Sequence, residues 1–106
     1  QRAAADRPSL FRAPHGHRNP WVTPLAREQG QRTVGWTLGV WDTALPGATV
    51  IADRVLRGVR RGSIVLLHDG DGYDATGDRM QTARAVPQII RRLRERGYSF
   101  ATLSSA

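Results

Sequence analysis

The stretch Gly62-Ser63-Ile64-Val65-Leu66-Leu67-His68-Asp69-Gly70 decides the fold. Four aliphatic residues, Ile64 to Leu67, run without a polar break into two ionisable side chains and a glycine. Strict alternation would mark a strand with one wet face, whereas a continuous apolar run bounded by glycines marks a strand covered on both faces, as in a parallel sheet. Side chains alternate along a strand, so Ile64, Leu66 and His68 share one face while Val65, Leu67 and Asp69 share the other. The imidazole then sits beside a leucine at a strand's carboxyl end, where open sheets and barrels build their sites.

Working outward, Ala48, Ile51, Ala52, Val55 and Val59 fall at helical spacing and predict a helix over 48–60, stopped by Gly62. After an acidic, glycine-rich loop from Asp69 to Asp78, the stripe Val86, Ile89, Ile90 and Leu93 predicts a last helix, with Pro87 near its first turns and Gly97 as its cap. Tyr98 to Leu103 reads as a final strand. Upstream, Arg32 to Leu38 is a strand rich in β-branched and aromatic residues, and a helix starting near Asn19 or Thr23 ends at Gly30. Leu10-Phe11-Arg12 is a short first strand, and residues 1–7 read as a helix tail or linker closed by Pro8. The sum is an α/β fold of parallel strands with right-handed crossover helices, βαβαβαβ. It brings Arg12, Gly39 to Thr43, His68 and Leu103 to Ser104 to one edge.

With 106 residues there is room for one domain and a single modest core. The chain opens on Gln1, so residues ahead of it are expected. The absence of cysteine excludes a disulfide scaffold and a thiolate metal site, and leaves the compartment open. No run approaches the roughly 20 apolar residues of a membrane span, and no signal peptide is visible. All sixteen basic residues are arginine, against nine acidic ones, for a net charge of +7. Such a charge can draw polyanions. The arginines are nevertheless scattered over every segment with no nucleic-acid module, so no specific nucleic acid is expected.

Three groups share the predicted edge: Arg12, Asp42 and His68. A carboxylate beside an imidazole favours its charged form and fixes its orientation, which suits a general acid near neutral pH. An arginine at a strand end can hold a second carboxylate ionised. For Arg12 or Asp42 alone, an ordinary loop ion pair is the competing account.

In combination these residues resemble the polysaccharide deacetylases, the NodB-homology or family 4 carbohydrate esterases. Phe11-Arg12-Ala13-Pro14-His15-Gly16 is similar to the family's Arg-Pro-Pro-Tyr-Gly motif, with histidine at the tyrosine position. Gly39-Val40-Trp41-Asp42-Thr43 resembles Asp-x-x-Asp-Trp, keeping the second aspartate but replacing the first by glycine and the tryptophan by threonine. Leu66-Leu67-His68-Asp69 matches Leu-x-His-Asp, and Pro87 to Ser104 is similar to the family's last helix and strand. The family's Thr-Phe-Asp-Asp-Gly motif and His-x-x-x-His pair have no counterpart in these residues. The resemblance therefore implies that residues 1–106 are the C-terminal portion of the domain, the second half of a distorted (β/α) barrel.

The resemblance also implies an activity, the metal-dependent hydrolysis of an N- or O-acetyl group on a carbohydrate polymer. A divalent metal, zinc foremost, would polarise the acetyl group and the water, with its ligands and the base aspartate in the missing N-terminal half. By motif match His68 is the acid, Asp42 tunes it, Arg12 orients the base, and the His15 backbone N–H helps hold the oxyanion. Leu66, Trp41 and Pro14 line the substrate pocket, Trp41 partly replacing the wall lost at Thr43. Partners would be the acetylated polysaccharide and the N-terminal half, as another chain or through self-association, because half a barrel exposes sheet edges. A secreted or cell-envelope location is expected from the family. The fragment alone should be inactive. A catalytically silent carbohydrate- or polyanion-binding module is the alternative. Two lesser sites are a metal site from His15, His17 and His68 and a calcium loop over Asp69 to Asp74, which lacks EF-hand spacing and reads better as solvated.

Overall fold

The computed structural model describes residues 8–16, 19–72, 74 and 76–105. The helix tail or linker expected at 1–7 lies outside these residues, as does His17. The chain divides into two compact units, one from residues 1–35 with 101–106, the other from residues 36–100.

In the first unit, β1 (Leu10–Phe11) pairs in parallel with β2 (Arg32–Thr33), Leu10 opposite Arg32. Between them, α1 (Val22–Glu28) is the crossover helix. Asn19 turns the chain into it, its Oδ1 accepting from the Trp21 N–H at 3.0 Å, as a short polar side chain does at a helix start. Gly30 follows with φ 75°, a backbone that glycine adopts without a Cβ clash.

The second unit holds the main core. Its strands β3 (Leu38–Gly39) and β4 (Val65–Leu66) are parallel, with Leu38 opposite Val65 and Gly39 opposite Leu66. Thr37 seals the pair's start: its hydroxyl accepts from the Ile64 N–H at 2.8 Å and lies 3.2 Å from the Ile64 carbonyl. Crossover helix α2 (Ala48–Gly58) and the long α3 (Met80–Glu95) pack together. Val40, Ile51, Ala52, Val55, Leu56, Ala85, Ile89 and Leu93 form one buried cluster. Each large aliphatic side chain taken out of water there contributes about 2 kcal/mol.

The parallel α/β architecture is the one the sequence predicts, and the βαβαβαβ order needs three corrections. The single strand expected over Arg32–Leu38 is two short ones: the Val34 N–H bonds the Phe11 carbonyl, and from Thr37 onward the N–H groups turn to Ile64. The chain changes partner around Gly35, so no one ladder spans the run. The last strand, Tyr98 to Leu103, does not form. A strand exists through its ladder; no strand pairs with residues 98–102 among the described residues, and a 3-10 turn, Leu103–Ser105, follows. Helix α3 starts at Met80, which places Pro87 two turns inside rather than near the start. Pro87 and Ala83, whose carbonyl loses its helical partner, are both exposed, so water can bond that carbonyl.

Candidate active site

Because β3 and β4 are parallel neighbours, the residues just past their carboxyl ends come side by side. Three residues beyond Gly39 stands Asp42, and two beyond Leu66 stands His68. Asp42 opens a 3-10 turn, Asp42–Ala44, between two non-glycine residues in the left-handed region, Trp41 (φ 57°) and Leu45 (φ 54°). Such a backbone costs an L-residue about 1 kcal/mol or more and persists where the surroundings hold it. Three contacts hold this loop. The Arg54 guanidinium donates to the Val40 carbonyl at 2.9 Å, the Gly47 N–H donates to Gln81 Oε1 at 2.6 Å, and Asp42 is bonded on both oxygens.

The Asp42 carboxylate is 1% exposed. Its Oδ1 lies 2.9 Å from His68 Nδ1, while Oδ2 accepts from the His68 N–H and from the Thr82 hydroxyl, each at 2.8 Å. Burial pushes the carboxyl up. The backbone bond from His68, then the bonds from its ring and from Thr82, outweigh burial and hold Asp42 below its ordinary value. An ionised Asp42 can only accept, so the proton between it and the imidazole belongs to His68 Nδ1. The ring, 41% exposed, keeps Nε2 for other chemistry.

The structure thus joins Asp42 and His68 as the sequence predicts. Leu66 is half-buried in β4, and Trp41 is 77% exposed. Arg12, Pro14 and His15 belong to the other unit. There the Arg12 guanidinium donates to the carbonyls of Val34 at 3.4 Å and Gly35 at 3.0 Å. Pro14–Gly16 is a 3-10 turn with His15 at φ 57°. Sequence reasoning missed Thr82, although a signal existed: it occupies the helical stripe Thr82, Ala85, Ile89 and Leu93 that α3 buries.

A metal does not fit the described residues. No three of their His, Asp or Glu side chains group as ligands, and both oxygens of the one buried carboxylate are committed. The three-histidine site needs His17, outside the described residues. In the acidic loop the Asp74 carboxylate is bonded by the N–H and hydroxyl of Thr76.

No family model matches the chain. It is 40% identical over 102 residues, 92% of its length, to a peptidoglycan-N-acetylglucosamine deacetylase of Bacillus cereus, covering 44% of that protein. A solved peptidoglycan N-acetylglucosamine deacetylase, in complex with 4-naphthalen-1-yl-N-oxidanyl-benzamide, superposes with a TM-score of 0.86 at 29% identity, over 98% of this chain and 47% of the other. The chain is similar to the family 4 carbohydrate esterases. It spans about half the length of the curated relatives it matches, a share consistent with the C-terminal half of the domain. The family also includes chains that do not catalyse. A CE4 family pseudoenzyme from Bacillus anthracis superposes with a TM-score of 0.77 at 27% identity, over 91% of this chain and 31% of that one. In this chain the Asp42–His68 pair is present, while the surrounding motif is altered at Gly39 and Thr43.

Proposed function

We propose that the chain is the acid-bearing part of a deacetylase that removes an acetyl group from a carbohydrate polymer, the amide of N-acetylglucosamine foremost. The observation that supports this best is the buried carboxylate bonded to the ring and backbone of His68. In the reaction, the oxygen of a water molecule adds to the acetyl carbonyl carbon and the carbon–nitrogen bond then breaks. The departing amine must gain a proton, and His68 donates it from Nε2 while Asp42 balances the imidazolium charge. Leu66 and Trp41 would line the pocket beside His68. By motif match alone, Pro14 would line it too, Arg12 would orient the base, and the His15 N–H would help hold the oxyanion.

Metal ligands and the base would come from the family's Thr-Phe-Asp-Asp-Gly and His-x-x-x-His motifs, which the 106 residues lack. The partner segment is therefore the N-terminal half of such a domain.

Fusing the first half of the Bacillus cereus deacetylase ahead of Gln1 tests the proposal. Zinc-dependent acetate release from chitotetraose by the fusion, with none from the 106 residues alone, supports it. Sugar binding without acetate release would instead place the chain with the family's pseudoenzymes. Salt-sensitive binding to nucleic acid with no sugar dependence would favour a polyanion binder. A compact, soluble monomer of the 106 residues on gel filtration would count against the need for a covering half.

A further inference from the structure

We propose that Thr82 is a positioning residue for His68, acting through Asp42: its hydroxyl fixes the carboxylate so that His68 keeps its proton on Nδ1 and leaves Nε2 for the substrate. The inference deepens the assignment of His68 as the acid and rests on it. Thr82 lies in the first turn of α3, 5% exposed, on the stripe whose other members, Ala85, Ile89 and Leu93, are apolar. A hydroxyl buried among such neighbours costs free energy unless it is bonded. In a helix it would ordinarily bond the carbonyl one turn back, but here it donates to Asp42 Oδ2 at 2.8 Å.

That bond completes a set of three donors on a carboxylate that water does not reach. The other two donors both belong to His68, just past β4: its N–H on Oδ2 and its ring on Oδ1. Only Thr82 approaches from α3, so it sets the rotation of the carboxylate plane about its last bond. Its neighbour Gln81 accepts from the Gly47 N–H, which ties the far end of the same loop to the same helical turn. If the hydroxyl is lost, Oδ2 keeps one donor, and the carboxylate is a weaker and less directed acceptor for Nδ1. The imidazole proton then spreads over both ring nitrogens.

The test is the tautomer of His68 in the 15N-histidine-labelled 106-residue chain, read from long-range 1H–15N spectra of the neutral ring. The parent and Thr82→Ser show one Nδ1–H form. In Thr82→Val, which keeps the shape and removes the hydroxyl, the ratio of Nδ1–H to Nε2–H falls about tenfold, the worth of one charge-assisted hydrogen bond. An unchanged ratio in Thr82→Val overturns the proposal. So does a Thr82→Ser chain that behaves like Thr82→Val, or a Thr82→Val chain that loses its dispersed amide spectrum, since either makes Thr82 a packing residue. The readout does not involve acetate release. A fusion without activity whose His68 still responds to Thr82 would sink the proposed function and leave the positioning in place.

Discussion

Two loops leave the carboxyl ends of adjacent parallel strands in the second unit, and they treat their acids in opposite ways. The loop after β3, Val40 to Gly47, turns its one carboxylate inward to β4 and α3. The loop after β4 carries Asp69, Asp74 and Asp78 exposed, and the bonds these make are local: Thr76 to Asp74, and the Met80 N–H to Asp78. The first loop has two left-handed non-glycine residues, while the second takes its left-handed turn at Gly72. An acid becomes a device for another side chain only when the backbone that carries it is held from several directions. Acidic content alone, which made the second loop look like a cation site, says little.

The largest expected effect follows from assigning chemistry to the first loop's partner. In the fused domain described above, His68→Gln should lower kcat by about 10²- to 10⁴-fold, the usual worth of a placed general acid. Acetate release measured against Asp74→Asn, expected to match the parent, sharpens the contrast. Equal rates for the two variants would erase it.

Next in size is stability. Asp42→Ala strands the His68 N–H and the Thr82 hydroxyl in a buried site, which should cost about 2–4 kcal/mol in urea unfolding. Asp74→Ala should leave the midpoint where it is. The acid limb of stability separates the loops further. A carboxyl held below its ordinary value of 3.8 when folded contributes stability that is complete above that value and is lost as pH falls through the folded-state value. The urea midpoint of the parent should therefore fall on acidification below about pH 4. Asp42→Asn should start lower and show a shallower fall, and parallel curves would mean that Asp42 carries none of the acid sensitivity.

Much of this was legible in the sequence because local patterns and the final contacts agree. The run Ile64 to Leu67 reads as a covered strand, and the stripes of α2 and α3 read as helices whose buried residues include Ile51, Val55, Ile89 and Leu93. Asp42 and His68 could be paired because parallel order alone puts their strand ends together. What depended on long-range partners was not legible. Arg32 to Leu38 has strand composition throughout but changes neighbours midway, and Tyr98 to Leu103 has the composition without a ladder. Val86 and Ile90 were expected inside and are only half-buried, because α2 covers the flank through Ala85, Ile89 and Leu93. Thr82 was passed over since periodicity counts apolar residues, and a bonded hydroxyl satisfies the same position.

The smallest effect is the most local. Trp41 precedes Asp42 at φ 57° and is 77% exposed, so its indole contributes little burial while its Cβ strains the backbone. Trp41→Gly removes that strain and should raise stability by up to about 1 kcal/mol. Trp41→Ala keeps the Cβ and should leave stability unchanged. An exposed aromatic in a strained backbone beside the acid's partner fits a surface for stacking a sugar ring, as proposed for the pocket. Both variants should then weaken chitotetraose binding by the fused domain by a similar factor, seen in KM with kcat nearly constant. If Trp41→Gly instead unfolds more readily than the parent, the indole is holding the loop rather than waiting for a ligand. The first loop's strain would then have to be explained by packing alone.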